Sequence, residues 1–214
     1  MAIISFRHKF IFIKTMKTAG TSLEIHLSAH CGPQDIVTPI APPNSAHNPQ
    51  NYSDGERAVY FNHMPATLIR DLRPEAFATF FKFCFERHPV EKCLSHFAML
   101  KNSRYHYDPG NPKTWTEYLE RGDFPIDTSR YLDGASGSSS AELIVDKIYR
   151  YEELDAALKD VSRRTGIAYR ALEAHEKCGF RFGVPSFEDV MSAPRERARI
   201  FDAFATSLRF TPYR

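Results

Sequence analysis

Four hydroxyl side chains, one lysine and one glycine are concentrated in residues 15–22, near the start of the chain. The apolar run Phe10–Ile13 precedes them and is typical of a strand buried on both faces, and a segment that can form a helix follows. A turn between such a strand and a helix aims backbone N–H groups and the positive end of the helix dipole at one point. The hydroxyls of Thr21 and Ser22 and the ammonium of Lys17 can bind there too. The stretch therefore predicts a site for a phosphate or another tetrahedral oxyanion.

This stretch differs from a Walker A loop, in which the lysine directly follows the second glycine. Here Lys17 precedes the only glycine, and residues 17–22 read Lys-Thr-Ala-Gly-Thr-Ser. That order resembles the 5′-phosphosulfate loop of sulfotransferases that use 3′-phosphoadenosine 5′-phosphosulfate (PAPS). It is most similar to their carbohydrate branch, which includes the heparan-sulfate 2-O-sulfotransferases. Met16 stands where that branch usually has proline, which would only stiffen the approach to the lysine. An ordinary strand-to-helix turn with a surface lysine is the alternative for so short a motif.

The resemblance implies that PAPS is the co-substrate, that its product is 3′-phosphoadenosine 5′-phosphate (PAP), and that no metal takes part. It implies a catalytic role for Lys17. It also implies that five residues of the loop bind the cofactor: Thr18, Ala19, Gly20, Thr21 and Ser22.

A second element lies at the end of another apolar, aromatic run. Arg87 follows that run, where ligands collect in open α/β sheets, and its planar guanidinium can bind a phosphate through two hydrogen bonds. Ser95 lies eight residues later, about two helical turns, and can share a face with the start of the helix. The pair resembles the 3′-phosphate element of the same family, although His88 replaces the usual aspartate. The alternative is a surface arginine before the helix-initiating Pro89.

His63 is the third candidate. Its surroundings resemble a family segment in which a histidine lies near the transferred group, with Asn62 where glycine is frequent. An imidazole that titrates near neutrality is suited to take a proton from an acceptor hydroxyl. A structural histidine at the start of the following helix is the alternative. Glu86 and His88 are the other candidates for the base, because they also follow a strand.

His26, His30 and Cys31 have the spacing of half a metal site, but the sequence contains no second cluster to complete it. A helix face is the preferred interpretation. The four cysteines are scattered and are interpreted as free thiols of a reducing compartment: Cys31, Cys84, Cys93 and Cys178.

An aromatic group could stack on a sugar ring or simply pack within its own loop; its members are Tyr105, Tyr107 and Trp115. Arg130 and Tyr131 resemble a family segment that approaches the ligands.

Length and composition fit one domain over residues 1–214, with 43% apolar and 25% charged residues. A net charge of +2 is too small to indicate a nucleic-acid partner, so anion recognition must be local. No segment approaches the roughly 18 apolar residues of a membrane span, and the N-terminus lacks the pattern of a signal peptide. Because Golgi members of this branch carry a membrane anchor, we expect a cytoplasmic, bacterial member.

Apolar runs alternate with helical patterns, which predicts an α/β fold: a P-loop-type parallel sheet flanked by helices on both faces. The predicted strands cover residues 10–13, 59–61, 80–85 and 147–151. The predicted helices cover residues 23–29, 90–100, 114–121, 152–165, 168–177 and 187–208, and Met64-Pro65 is predicted to open a further helix. A Gly/Ser-rich loop is predicted at residues 133–140. The irregular stretches 33–57 and 102–113 are expected to select the acceptor.

Together these features predict an enzyme that moves a sulfuryl group from PAPS to a hydroxyl of a glycan or small molecule. A sulfuryl group carries less charge than a phosphoryl group, whose transfer normally recruits magnesium. Two alternatives stay open: an atypical nucleotide or small-molecule kinase that needs ATP and magnesium, and a non-catalytic protein that binds PAP or PAPS. The oligomeric state is left open.

Overall fold

The computed structural model describes residues 2–134, 140–172, 181–211 and 213. Its strands are β1 (Ala2–Ser5), β2 (Phe10–Ile13), β3 (Ile36–Val37), β4 (Phe81–Glu86), β5 (Leu132–Asp133), β6 (Glu142–Leu143) and β7 (Lys147–Arg150). Its helices are α1 (Gly20–Ser28), α2 (Ala66–Leu72), α3 (Pro74–Thr79), α4 (Pro89–Asn102), α5 (Trp115–Arg121), α6 (Thr128–Tyr131), α7 (Leu154–Thr165), α8 (Phe187–Ser192), α9 (Pro194–Ala203) and α10 (Ala205–Leu208).

The main sheet has five strands in the order β3-β1-β2-β4-β7. Strands β2, β4 and β7 are parallel, as predicted, and the α/β class is confirmed. The prediction of a wholly parallel sheet is wrong, because β1 is antiparallel to both β2 and β3. The connection between β1 and β2 spans only residues 6–9. So short a link allows only antiparallel pairing, since a parallel crossover needs a dozen or more residues.

The two faces of the sheet are covered by different helices. Phe10 and Phe12 of β2 pack in one apolar cluster with side chains of α1 and α7. Ile11 and Ile13 pack in another cluster with side chains of α2 and α3. This alternation follows from the period of two in a strand, and it buries β2 on both sides.

The last part of the chain forms three helices instead of the single helix predicted for residues 187–208. The break falls before Pro194, which occupies the first turn of α9 and cannot donate an N–H to α8. Residues of α8 and α9 pack on α4 in a third apolar cluster. The helix predicted for residues 168–177 is absent from residues 168–172, and residues 173–177 lie outside the described part of the chain.

The strand predicted for residues 59–61 is not formed. The amides of Val59 and Tyr60 both donate to the carbonyl of Tyr52, which closes an irregular loop instead of extending a sheet. Tyr60 is buried under α2, whereas Phe61 is 43% exposed. A three-residue apolar run was therefore too short to determine a strand.

Two further regions complete the description. Strands β5 and β6 pair antiparallel on either side of the predicted Gly/Ser-rich loop, of which residues 135–139 lie outside the described part. None of the described helices is long and apolar enough to cross a membrane.

Candidate functional site

The 15–22 loop joins the carboxyl end of β2 to the start of α1. Lys17 and Ala19 have left-handed backbone conformations, with φ angles of 62° and 55°, and Ala19 is the N-cap of α1. The Thr15 hydroxyl donates to the carbonyl of Phe85 in the neighbouring strand β4, and it lies 3.0 Å from the Thr18 hydroxyl. These buried contacts fix the loop against β4. They leave Thr21 and Ser22 in the first helical turn, whose N–H groups have no intrahelical acceptor.

Gly20 is required by a close approach of Lys14, a residue the sequence analysis did not select. A Cβ atom at position 20 would lie 2.7 Å from Cε of Lys14. The Lys14 ammonium lies 2.8 Å from Glu24 Oε2, and the Glu24 side chain is fully buried. Burial raises the pKa of Glu24, although the Lys14 ammonium opposes that rise. The lysine therefore crosses the start of α1 and is held there by an internal carboxylate.

A buried charge network lies behind the loop. The Met16 amide donates to Asp127 Oδ2 over 2.8 Å, and Lys92 Nζ lies 2.7 Å from the same oxygen. Lys92 also donates to Glu86 over 2.6 Å. Burial alone would lower the pKa of Lys92, but the carboxylates of Asp127 and Glu86 outweigh it and raise that pKa. The ammonium is therefore held charged between two carboxyl groups.

Arg87 follows β4 and reaches back to the loop. Its Nη1 donates to the Lys17 carbonyl over 3.3 Å, and its Nη2 donates to Glu91 over 2.7 Å. The guanidinium also lies 4.3 Å from the ring centroid of Tyr151, a cation–π distance. Nε of Arg87 is buried, and no described residue accepts a hydrogen bond from it. The guanidinium is thus held in place on three sides and retains an unused donor.

Glu91 is shared by two arginines, because Arg181 also donates to its carboxylate. Burial tends to raise the pKa of Glu91, but Arg181 and Arg87 outweigh it and the pKa lies below its usual value. Glu91 therefore stays charged and neutralises part of the positive charge around Arg87.

One cleft of about 490 Å³ lies between these elements. It is lined by every residue that the sequence analysis assigned to the site: Lys17, Thr18, Ala19, Gly20, Thr21, Ser22, His63, Arg87 and Ser95. Ser95 lies on α4, which begins at Pro89, two residues after Arg87. The volume falls in the usual range for a site that binds a small molecule or cofactor.

His63 lies at the cleft with a left-handed backbone, at a φ of 59°. Its Nδ1 is 3.2 Å from the carbonyl of Lys14, an acceptor, so Nδ1 carries the proton and Nε2 is left as the basic nitrogen. Burial, followed by positive charges that include Lys14 and Arg130, lowers the pKa of His63 to about 2. The imidazole is therefore neutral, as a proton acceptor must be.

The other candidates for the base lie elsewhere. Glu86 is 2% exposed and takes part in the ion pair with Lys92. His88 packs against the rings of Phe187, Phe201 and Tyr213. Neither candidate lines the cleft.

The aromatic residues proposed to stack on a sugar do not form one surface. Trp115 is 9% exposed and belongs to the cluster under α4, whereas Tyr105 and Tyr107 are 58% and 71% exposed. Arg130 pairs with Asp127 behind the loop, at 2.6 Å, instead of lining the cleft. The rings of His26 and His30 are in contact, and the described residues contain no group of three or more potential metal ligands.

Several cleft residues were missed: Lys14, Ala41, Glu91, Met99, His106, Tyr151 and Arg181. Apart from Lys14, they come from parts of the chain that are distant from the 15–22 loop. Together with Lys17 and Arg87, these residues give the described part of the cleft wall four lysine or arginine side chains and a single carboxylate. The wall is therefore strongly cationic, although the chain as a whole is nearly neutral. Only Glu91 had a local signal, its position one helical turn after Arg87.

No family model matches the sequence, and no curated protein is similar enough to identify a relative.

Proposed function

We propose that the protein is a sulfotransferase that moves a sulfuryl group from PAPS to a hydroxyl acceptor and releases PAP. The observation that carries this proposal is the common cleft, where a lysine-bearing strand-to-helix loop and an arginine at the tip of the next parallel strand meet. Two anion-binding elements at one cleft suit a ligand with two separate anionic groups. PAPS is such a ligand, with a 5′-phosphosulfate and a 3′-phosphate.

In this proposal the 15–22 loop binds the 5′ end. The amides at the start of α1 and the hydroxyls of Thr21 and Ser22 donate to the phosphosulfate, and Lys17 adds a full charge. Negative charge builds on the leaving phosphate oxygen as the sulfur–oxygen bond breaks. Donors fixed beforehand around that oxygen stabilise the transition state, and each can contribute about 3 kcal/mol.

Arg87 and Ser95 bind the 3′-phosphate. The guanidinium is held in position by the Lys17 carbonyl, Glu91 and the Tyr151 ring before any ligand arrives. That preorganisation reduces the entropy cost of binding. The contact between Arg87 and the Lys17 carbonyl also fixes the separation of the two anion-binding elements.

His63 accepts the proton of the acceptor hydroxyl as its oxygen attacks the sulfur. The Lys14 carbonyl holds Nδ1–H, so the lone pair of Nε2 is the one available for this step. The low pKa of His63 reflects burial and neighbouring positive charge. Binding a ligand with several negative charges beside His63 raises that pKa and strengthens the base.

The cleft residues favour this reaction over phosphoryl transfer from ATP. A magnesium ion that bridges phosphates needs carboxylate ligands. Among the described residues, the only carboxylate at the cleft wall is that of Glu91, which two arginines already engage. The placement of His63 favours an enzyme over a passive binder of PAP.

The resemblance of the 17–22 and 87–95 segments supports further parts of the proposal: the P-loop-type fold of the PAPS-dependent sulfotransferase family, a single domain, a cytoplasmic location and a glycan as acceptor. The sheet order, in which β2 and β4 are parallel neighbours, is consistent with that fold.

The first test is binding. Calorimetry compares PAP with ATP and magnesium for the native protein, Lys17→Ala and Arg87→Ala. We expect PAP to bind at least tenfold more tightly than ATP and both substitutions to weaken it. Lys9→Ala is the matched control, because Lys9 has a similar left-handed backbone, with a φ of 52°, at the opposite end of β2.

The second test is turnover, measured with radiolabelled PAPS and a panel of hydroxylated glycans. Transfer that His63→Gln abolishes without weakening PAP binding supports the enzyme. PAP binding without transfer to any acceptor favours the binder, and tighter binding of ATP with magnesium favours the kinase.

A further inference from the structure

Asp127 lies outside the cleft wall but contacts the loop that forms it. We propose that Asp127 is a positioning residue: its carboxylate holds the Met16 amide and so fixes the approach of the chain to Lys17. The choice of PAP as the test ligand rests on the proposed function, whereas the contact between Asp127 and Met16 does not depend on it.

The contact is made by a fully buried group. Asp127 is 1% exposed, and one oxygen receives both the Met16 amide at 2.8 Å and the Lys92 ammonium at 2.7 Å. Arg130 lies 2.6 Å from the other oxygen. Two cations therefore contact the carboxylate and fix its orientation, and a charged acceptor forms a stronger hydrogen bond than a neutral one.

The same network reaches the other half of the site. Lys92 is on α4, which also carries Ser95, and its second partner is Glu86, the residue before Arg87. Asp127 therefore connects the approach to the 15–22 loop with the strand end and the helix that hold the second anion-binding element. A change at Asp127 should alter the relative position of the two elements.

Position 16 makes this contact specific to the present chain. The contact uses the backbone N–H of Met16, and any residue except proline supplies one. Where the resemblance leads us to expect proline, the ring would restrain φ and no N–H would exist. Here the restraint comes from a hydrogen bond to a distant carboxylate.

The test is a double-mutant cycle on PAP binding with Asp127→Ala, Met16→Pro and the double variant. We expect Asp127→Ala to weaken PAP at least tenfold in the native background. In the Met16→Pro background, where the N–H is already missing, it should weaken PAP less than threefold. Equal effects in both backgrounds would overturn the proposal.

Asp35→Ala is the matched control. Asp35 is also 1% exposed and accepts from backbone amides, those of Phe6 and Arg7, but at the opposite end of the sheet. We expect a comparable loss of thermal stability with PAP affinity within twofold of native. If Asp127→Ala loses stability but keeps its PAP affinity, its role is purely structural and the proposal fails.

A second variant covers the case in which Asp127→Ala leaves Lys92 inadequately paired and does not fold. Lys92→Met with Asp127→Ala removes opposite charges together. Amide hydrogen exchange of residues 17–22 is then measured without ligand, and we expect it to be at least tenfold faster than in Asp35→Ala. Unchanged exchange overturns the positioning role. If native protein does not bind PAP, the proposed function fails while exchange still decides the role of Asp127.

Discussion

Strand β2 has a turn at each end, and the two turns differ in what holds their polar groups. The 6–9 turn, between β1 and β2, is closed by Asp35. One oxygen of Asp35 accepts the amides of Phe6 and Arg7 at 2.7 and 3.1 Å, and the other accepts the Ser5 hydroxyl at 2.7 Å. The Lys9 carbonyl accepts the Phe81 amide at 2.9 Å. The hydrogen bonds of these polar groups are thus made within the protein.

The 15–22 loop also contains a lysine with a left-handed backbone and also meets a buried carboxylate, Asp127. Among the backbone amides of the loop, that carboxylate has one described contact, with the Met16 amide at the entrance of the loop. The residues after it line a cationic cleft of about 490 Å³. In the 6–9 turn a buried carboxylate accepts hydrogen bonds from the amides of the turn itself, so the turn has a structural role. In the 15–22 loop the buried carboxylate accepts the amide at the entrance, and the following residues face the cleft, where a ligand can bind.

The largest difference between the two turns is expected when the lysine of each is replaced by alanine in separate variants. Lys17→Ala should weaken PAP binding about 100-fold, because it removes a charge-assisted contact of up to about 3 kcal/mol. Lys9→Ala should change it less than twofold. Calorimetric titration of both variants decides the matter, and similar losses in the two would contradict the assignment.

The next largest loss of PAP affinity is expected from substitution of Arg87. Arg87→Ala should weaken PAP about 30-fold but AMP, which lacks the 3′-phosphate, less than threefold, since about 2 kcal/mol of charge-assisted bonding is lost. Arg87→Lys should restore only part of the affinity, because an ammonium cannot form the paired hydrogen bonds.

The control for Arg87→Ala is Arg7→Ala, in the 6–9 turn, which should change neither the affinity for PAP nor that for AMP. Equal weakening of AMP and PAP by Arg87→Ala would show that Arg87 does not recognise the 3′ group.

Substituting a glycine in the 15–22 loop and one that packs against the 6–9 turn should affect the stability of the fold to different extents. Gly20→Ala should lower the free energy of unfolding by about 1–3 kcal/mol, because the new methyl group displaces Lys14 from Glu24. Gly32→Ala, whose Cβ would lie 3.4 Å from Arg7 Cδ, should cost less than about 0.5 kcal/mol. Urea unfolding of both variants provides the measurement. A smaller loss for Gly20→Ala than for Gly32→Ala would be inconsistent with the packing described.

The smallest effect concerns pH. The pKa of His63 is about 2 in the folded protein, below the ordinary 6.5, so the unfolded chain takes up a proton first as pH falls. His63 therefore stabilises the fold fully above pH 6.5, and this contribution is lost as pH falls toward 2. Relative to His63→Gln, native protein should lose about 1 kcal/mol between pH 6.5 and 5.5. A constant difference across that interval would contradict the burial of His63.

The sequence carried local information well. Phe10–Ile13 is an unbroken apolar run, and Phe81–Glu86 is apolar apart from Lys82 and the final Glu86; both form strands as predicted. Strand β1 was missed because residues 6–9, Phe-Arg-His-Lys, contain none of the glycine, proline or asparagine that normally indicates a turn. That turn is held by Asp35, from outside the local sequence.

The residues of the candidate site likewise fall into those that local sequence predicted and those that it did not. The loop residues and Arg87 with Ser95 were selected because each set is contiguous or nearly so, and the structure brings both sets to one cleft. Tyr151 and Asp127 could not be selected, because they are distant from the 15–22 loop in the sequence and only the tertiary fold brings them near it. Lys14 directly precedes the loop, but nothing in the sequence distinguished it as the partner of a buried carboxylate, that of Glu24. Spacing in a sequence predicts a local element, but contacts between elements depend on the tertiary fold.

The pairing of the parallel strands has a consequence for folding kinetics. Phe10 pairs with Phe81 and Phe83 with Lys147, so the strands that form the cleft join parts of the chain more than sixty residues apart. Such distant pairings form slowly because they must overcome the loss of chain entropy, whereas the β1–β2 hairpin is local and forms early. We expect nucleotide binding to appear in the last phase of refolding, after most of the secondary structure.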